Sequence, residues 1–264
     1  SLVTPLGFEW VKLWEEYGVA PPTATLSVTQ NMLYLIHCDG PDLDDMAAWD
    51  AHVAEIARAG RGSVQAYEIC NEPNVARFWN GRPPDPALYT QMLCRAYQQI
   101  KRVDPGAIVV SGGLAPVGRI AGDYDDWDGN DGNAMDEQRY LQGMIDHGAL
   151  MCMDAFGHHP YGYAYAPEQD PATVPNGFAF RGVEQMHAIL AAAGGAHIPI
   201  WATEFSWLRD PEEDGRQCDT DPDYFRYFNW QEVSEATQAD YLLRAFEYAD
   251  LHWPWMEAMF VWNM

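Results

Sequence analysis

Two hydrophobic rhythms alternate along this chain. The runs "NMLYLIHC" (31–38), "SVQAYEIC" (63–70), "AIVVSGGL" (107–114) and "IPIWATEFSW" (198–207) are nearly continuous apolar stretches. They predict strands covered on both faces, as in a parallel sheet. "GFEWVKLW" (7–14), a segment starting near Met153, and "AMFVWNM" (258–264) read as strands too. Between these runs the apolar residues recur at helical spacing. Met46, Trp49, Val53 and Ile56 mark one helix, which Gly60 closes. Asp85 as N-cap and Pro86 at the first helical position open another, which Pro105 and Gly106 stop. Tyr140, Leu141, Met144 and Ile145 share a face of a third. "RGVEQMHAILAAAGG" ends on Gly194 and Gly195, and Ser234 caps the last helix.

Regular strand–helix alternation predicts an α/β fold with a parallel sheet. Seven strands with intervening helices predict a (β/α)8 TIM barrel lacking one unit. The stretch 15–30 is too short and too rich in Pro and Thr for a full helix. No linker, repeat or low-complexity tract divides the 264 residues, so a single barrel domain over 1–264 is expected.

Charge narrows the partners. Asp and Glu number 39 against 15 Lys and Arg, for a net charge of −24. Such a surface repels phosphate backbones and anionic lipid, which argues against nucleic acid and membranes as partners. No apolar run is long enough for a spanning helix. The start "SLVTPLGFEW" lacks the basic and apolar regions of a signal peptide, and it lacks Met, as in a processed or cut chain. The five cysteines form no C-x-x-C pair. Cys38, Cys70 and Cys94 lie in apolar periodic segments and read as small core residues, which points to a reducing, cytoplasmic compartment.

Chemistry gathers where barrels place it, at the C-terminal ends of strands. In order these ends hold Lys12 and Trp14; His37, Cys38 and Asp39; Asn71 and Glu72; Ser111; His158, His159 and Tyr161; Glu204 and Trp207; Trp262 and Asn263. Glu72 and Glu204 each end a buried strand. Two carboxyl groups facing across a pocket split the roles of acid and nucleophile. A separation of about 5–5.5 Å suits glycoside cleavage with retention, and about 6.5–9.5 Å suits inversion.

The motifs "EICNEPN", "HPYG" and "IPIWATEFSW" resemble the signatures of glycoside hydrolase clan A, nearest to family 39 and its bacterial relatives. The likeness runs from about residue 7 to 264. It implies a retaining glycosidase with Glu72 as acid/base and Glu204 as nucleophile, acting on an oligo- or polysaccharide, β-linked, without a cofactor or metal. It implies that Asn71 bonds the sugar 2-hydroxyl, that His159 or Tyr161 orients the nucleophile and lines the subsite, and that Trp262 forms a floor for the sugar. Lys12 stands where the clan often carries Arg, a point charge in place of a fork. Cys70 stands where relatives often have Trp or Gly, and Ser206 where Gly is frequent. Trp79 and Trp207 offer planes for stacking on sugar faces, and His37 a polar contact. Counted against the clan, the first β/α unit and the last helix are absent. The resulting open edge invites a second copy of the chain as cover.

Other readings compete. A metal-dependent barrel hydrolase would use His158 and His159, but adjacent residues of a strand face opposite ways and make poor joint ligands. A carbohydrate-binding barrel with weak catalysis is the non-enzymatic reading. In the acidic loop 123–137, Asp126, Asp128, Asn130 and Glu137 fit a calcium-loop template whose required Gly is replaced by Asp131, so a solvated loop is expected. The long loop 209–230 would wall the cleft with Tyr224, Phe225, Tyr227, Phe228 and Trp230, or pack on itself.

Overall fold

A computed structural model describes residues 7–15, 31–38, 44–117, 134–210 and 229–262. Among these, seven strands alternate with helices in chain order. They are β1 (Trp10–Trp14), β2 (Asn31–Ile36), α1 (Met46–Gly60), β3 (Ala66–Ile69), α2 (Pro86–Val103), β4 (Ile108–Ser111), α3 (Glu137–Asp146), β5 (Phe156–His158), α4 (Val183–Ala192), β6 (Ile200–Phe205), α5 (Glu235–His252) and β7 (Met256–Val261).

Capping sets the helix starts. Asp85 accepts from the N–H groups of Ala87 and Leu88, with Pro86 behind it at the first helical position. Asp45 caps α1, Asp136 caps α3 and Ser234 caps α5 in the same way. The apolar spacing decides which face is buried. In α2, Tyr89, Met92, Leu93, Ala96 and Ile100 are fully covered.

All strand pairings are parallel. The order β1-β2-β3-β4 forms one sheet and β5-β6-β7 a second. The two meet between β4 and β5 through parallel bridges at Val110–Ala155 and Leu114–His158. The hydroxyl of Ser111 accepts from the Gly157 N–H at 3.0 Å across that seam. Helices cover one face of the strands, where Tyr34, Ile36, Tyr67, Ile69, Val109, Phe156 and Ile200 pack with Trp49, Tyr89, Met92 and Tyr140. On the other face, one apolar cluster joins Leu33, Ala66, Val110, Ala155, Trp201 and Phe260, with Trp10 packed against it. Every strand or its immediate edge contributes to that cluster. Trp10 lies edge-on to Trp201 at 5.0 Å and to Phe260 at 6.3 Å, which brings β1 against β6 and β7. The strand period of two explains the division, since Leu33 and Tyr34, or Ala66 and Tyr67, point to opposite faces.

The cysteines correct the expectation of free core thiols. Cys38 is bonded to Cys70 and Cys94 to Cys152. Cys38 and Cys70 end neighbouring strands 5.1 Å apart at Cα, so the fold pairs residues that the sequence separates by 32. Disulfides persist in oxidising compartments, so the cysteines no longer argue for the cytoplasm. Among the described residues no helix is long and apolar enough to cross a membrane. Asp39, Asn263, residues 123–133 of the calcium-type loop and Tyr224, Phe225, Tyr227 and Phe228 lie outside the described residues. Glu137 instead opens α3 and accepts from the Val117 N–H at 3.3 Å.

These pairings predict a thiol count. Unfolded without reductant, the protein should release one thiol per chain, that of Cys218, and all five after reduction. Removing the Cys94–Cys152 bridge by paired Ala substitutions should lower the unfolding free energy by about 2–4 kcal/mol in denaturant melts. Three free thiols in the unreduced protein would mean that one bridge does not exist.

Candidate active site

The acid-bearing turn follows β3. Cys70 and Glu72 both adopt positive φ, +67° and +38°, on either side of Asn71. Neither is glycine, so each costs on the order of 1–3 kcal/mol, and the surroundings must hold them there. Four restraints do so. The Cys70 N–H donates to the Ile36 carbonyl at 2.8 Å, and Cys38 binds Cys70 covalently. The Glu72 N–H donates to the Gly113 carbonyl at 3.1 Å, and the Glu72 carbonyl accepts from the Val75 N–H at 2.9 Å. Pro73 and buried Asn74 follow. The Asn74 side chain donates to the Ala115 and Met135 carbonyls and accepts from the Ala115 N–H.

Glu204 reaches the same point from β6. Its Oε1 lies 3.0 Å from the Lys12 ammonium of β1, and its Oε2 accepts from the Tyr161 hydroxyl at 2.7 Å. His159, just past β5, sits between the two glutamates. Its Nδ1 is 2.9 Å from Glu72 Oε1 and 3.7 Å from Glu204 Oε2. Donor atoms of Glu72, His159 and Glu204 all lie within 4.8 Å of one another.

A third carboxylate completes the cluster. Glu68, in the middle of β3, is fully buried. Lys12 lies 2.8 Å from its Oε2, and the Gly113 N–H donates to its Oε1 at 3.0 Å. His159 Nε2 stands 3.9 Å from the same Oε1, a charge contact rather than a hydrogen bond. Lys12 and His159 therefore each touch both Glu68 and Glu204. The four groups form a closed ring of alternating charge.

The ring sets the protonation states. Burial pushes the Glu68 carboxyl up, but Lys12 and His159 outweigh it and hold the group down at about 2. Glu204 is also lowered, burial being overcome by His159, Lys12 and the Tyr161 hydroxyl. Burial opposes the charge on His159, yet Glu204, Glu68 and Glu72 raise it to about 9. Lys12 is raised by Glu68 and Glu204 against the same opposition from burial. His158 goes the other way, pressed to about 3 by burial and by His159, so it stays neutral. Only one of the adjacent histidines enters the cluster. The three donors of Glu72, His159 and Glu204 have the spacing of a metal set. The Lys12 ammonium already supplies positive charge against Glu204, and the contacts are those of hydrogen bonds and ion pairs.

Gly113 shows how tightly the parts fit. A methyl group there would come within 2.2 Å of His159 Nε2 and 2.4 Å of the Thr203 hydroxyl. The residue needs to be small because the His159 and Thr203 side chains crowd its Cα.

The structure brings Lys12, Asn71, Glu72, His159, Tyr161 and Glu204 to one end of the strands. The Oδ1 of Asn71 is buried and without a partner among the described residues. Trp262 stands at the rim, partly exposed and 5.7 Å from the more exposed Trp14. Two expected sugar platforms are corrected. Trp79 is fully buried, edge-on to Tyr89. Trp207 is 1% exposed, its indole N–H donating to the Tyr165 carbonyl and its ring filling the space beside Gly162. Neither face is open to a ligand. His37 ends β2, its N–H donating to Glu15 at 3.2 Å. Trp230 stacks on Tyr163 at 5.5 Å. Glu68 and Gly113 were missed. The signal for Glu68 was a lone acid inside "AYEI", an apolar run that would tolerate it only with a buried cation.

No family model matches the chain, and no curated protein matches it. Solved structures do share its fold. A family 39 glycoside hydrolase from the gut symbiont Bacteroides cellulosilyticus WH2 superposes with a TM-score of 0.58 at 16% identity, over 98% of this chain and 52% of that one. A glucosidase from Croceicoccus marinus gives 0.57 at 17% identity, over 88% and 42%. A β-glucuronidase from Bacteroides uniformis gives 0.59 at 15% identity, over 99% and 27%. The chain thus spans about half or less of the length of these glycosidases.

The ring makes stability depend on pH in two directions. Glu68 is lowered from 4.5 to about 2, so its contribution is whole above pH 4.5 and is lost as the pH falls toward 2. His159 is raised from 6.5 to about 9, so its contribution is whole below pH 6.5 and is lost as the pH rises through 9. Urea midpoints should therefore plateau between these windows and fall on both sides, and His159→Gln should flatten the alkaline fall. A midpoint that climbs between pH 6.5 and 9 would contradict the charged state of His159.

Proposed function

We propose that this chain is the catalytic core of a retaining glycoside hydrolase, built on a (β/α)8-type barrel. The observation that carries the reading is the approach of Glu72 and Glu204, with carboxylate oxygens within 4.8 Å. An approach this close is in keeping with the separation of about 5–5.5 Å between the carboxyl groups of retaining enzymes. Shared fold with glycosidase structures supports it.

Glu204 would attack the anomeric carbon while Glu72 gives its proton to the departing oxygen. The C–O bond to the leaving group breaks, and an ester to Glu204 forms. Glu72, now a carboxylate, would take a proton from water as the water oxygen bonds to the anomeric carbon and the ester to Glu204 breaks, which releases the sugar with its configuration retained. Negative charge thus moves from Glu204 to Glu72 in the first step. His159 touches both, so its positive charge serves each position without moving. Tyr161 holds one oxygen of Glu204 and leaves the attacking lone pair directed by Lys12 on the other side. Asn71 offers its unpartnered amide to a sugar hydroxyl, and the Trp14–Trp262 pair offers an accessible apolar rim for the pyranose face.

Two variants separate the roles. Glu204→Gln should lower kcat on any aryl glycoside by at least about 10³-fold and should abolish covalent labelling by a 2-fluoro glycoside, read as an intact-mass shift. Glu72→Ala should cost about 10²–10⁴-fold with poor leaving groups and far less with dinitrophenolate. Equal losses for both leaving groups would remove Glu72 from the role of acid.

A further inference from the structure

The alternating ring has a member that touches no substrate. Glu68 lies beneath Glu204, with no exposure to solvent, and faces Lys12 of β1 at 2.8 Å, His159 after β5 at 3.9 Å and the Gly113 N–H at 3.0 Å. The remaining ionisable groups around it are Tyr89 of α2, whose hydroxyl is engaged with the Ile69 carbonyl and the Gly112 N–H, and Glu204 of β6. Around His159 stand Glu68, Glu72, Glu204, Tyr161 and neutral His158.

Two buried cations beside a single buried anion would leave uncompensated charge, and one cation would be discharged. A second anion is therefore required for both to persist. It becomes indispensable once Glu204 is esterified, because the ring then loses the only other carboxylate that Lys12 and His159 share.

We propose that Glu68 is a positioning residue for catalysis: it is the permanent anion that keeps Lys12 and His159 charged when Glu204 gives up its own charge to the sugar. Before the first step the cluster holds Glu68⁻, Glu204⁻, Lys12⁺, His159⁺ and protonated Glu72. After it, Glu68⁻, Glu72⁻, Lys12⁺ and His159⁺ remain with a neutral ester. The net charge of the buried cluster is the same at both ends of the step, so no counter-ion or solvent proton has to enter. The catalytic consequence rests on the glycosidase reading, but the electrostatic claim does not.

The test has two arms. In the first, pH profiles of kcat/KM for an aryl glycoside are compared between wild type, Glu68→Gln and Glu68→Asp. Losing the anion lowers the proton affinity of the His159–Glu72 pair, so the basic limb should move about one unit to lower pH in Glu68→Gln. Glu68→Asp, which keeps the charge, should restore the limb even where kcat has fallen. A folded Glu68→Gln with an unmoved basic limb would overturn the proposal. The second arm needs no turnover. Imidazole ¹⁵N spectra of the double variant Glu72→Gln/Glu204→Gln at pH 7 should show His159 doubly protonated, held by Glu68 alone. A neutral His159 there would overturn the proposal whether or not Glu68→Gln folds, and it would leave the glycosidase assignment standing. Absence of labelling at Glu204 in the wild-type protein, with His159 charged in the variant, would do the reverse.

Discussion

Three carboxylates and two cations share a largely buried space, and the rest of the molecule is arranged around that constraint. Lys12 comes from β1, Glu68 from β3, His159 from the loop after β5 and Glu204 from β6. None can be left alone, because a buried unpaired charge costs several kcal/mol. Lys12 on the first sheet meets Glu204 on the second. The ion pairs and the apolar cluster beneath them, from Trp10 to Phe260, thus draw the two sheets against one another at successive levels. The apolar level supplies most of the favourable burial. The charged level above it fixes register, since sliding a strand by one residue would turn its charged side chain to the helical face.

The turn at Cys70–Glu72 is the second consequence. A strand that continued straight would carry its acid past Glu204. Two positive-φ residues reverse the chain early, and hydrogen bonds to Ile36 and Gly113 keep it reversed. The Cys38–Cys70 bond stands beneath the turn as a covalent strut. It ties the turn to the neighbouring strand.

Most of the architecture could be read from the residues. The apolar runs and the caps at Asp85 and Ser234 are local signals, and the strands and helices appear where those signals lie. Glu72, Glu204 and Tyr161 are legible because each lies at or just past the end of an apolar strand, and strand ends meet in a parallel fold; Lys12 sits one turn of the pleat inside β1. What was not legible depends on distant partners. Trp79 and Trp207 look like ligand platforms in a string of letters, and only packing against Tyr89, Phe180 and Tyr241 shows that their faces are taken. Glu68 looks like a polar lapse in an apolar strand until Lys12, 56 residues earlier, is placed beside it. The cysteine pairs are likewise a product of strand order and of helix packing.

Gly113 joins these strands of the description. Its N–H serves Glu68, its carbonyl serves Glu72, and its missing side chain makes way for His159 and Thr203. A lineage drifting through neutral substitutions would find this position closed, since any added carbon displaces an imidazole and a hydroxyl together. Lys12 is freer, because another long cation could still span Glu68 and Glu204. Change is therefore cheapest at the rim and in the first strand, while the glycine and the charges it separates can only change together.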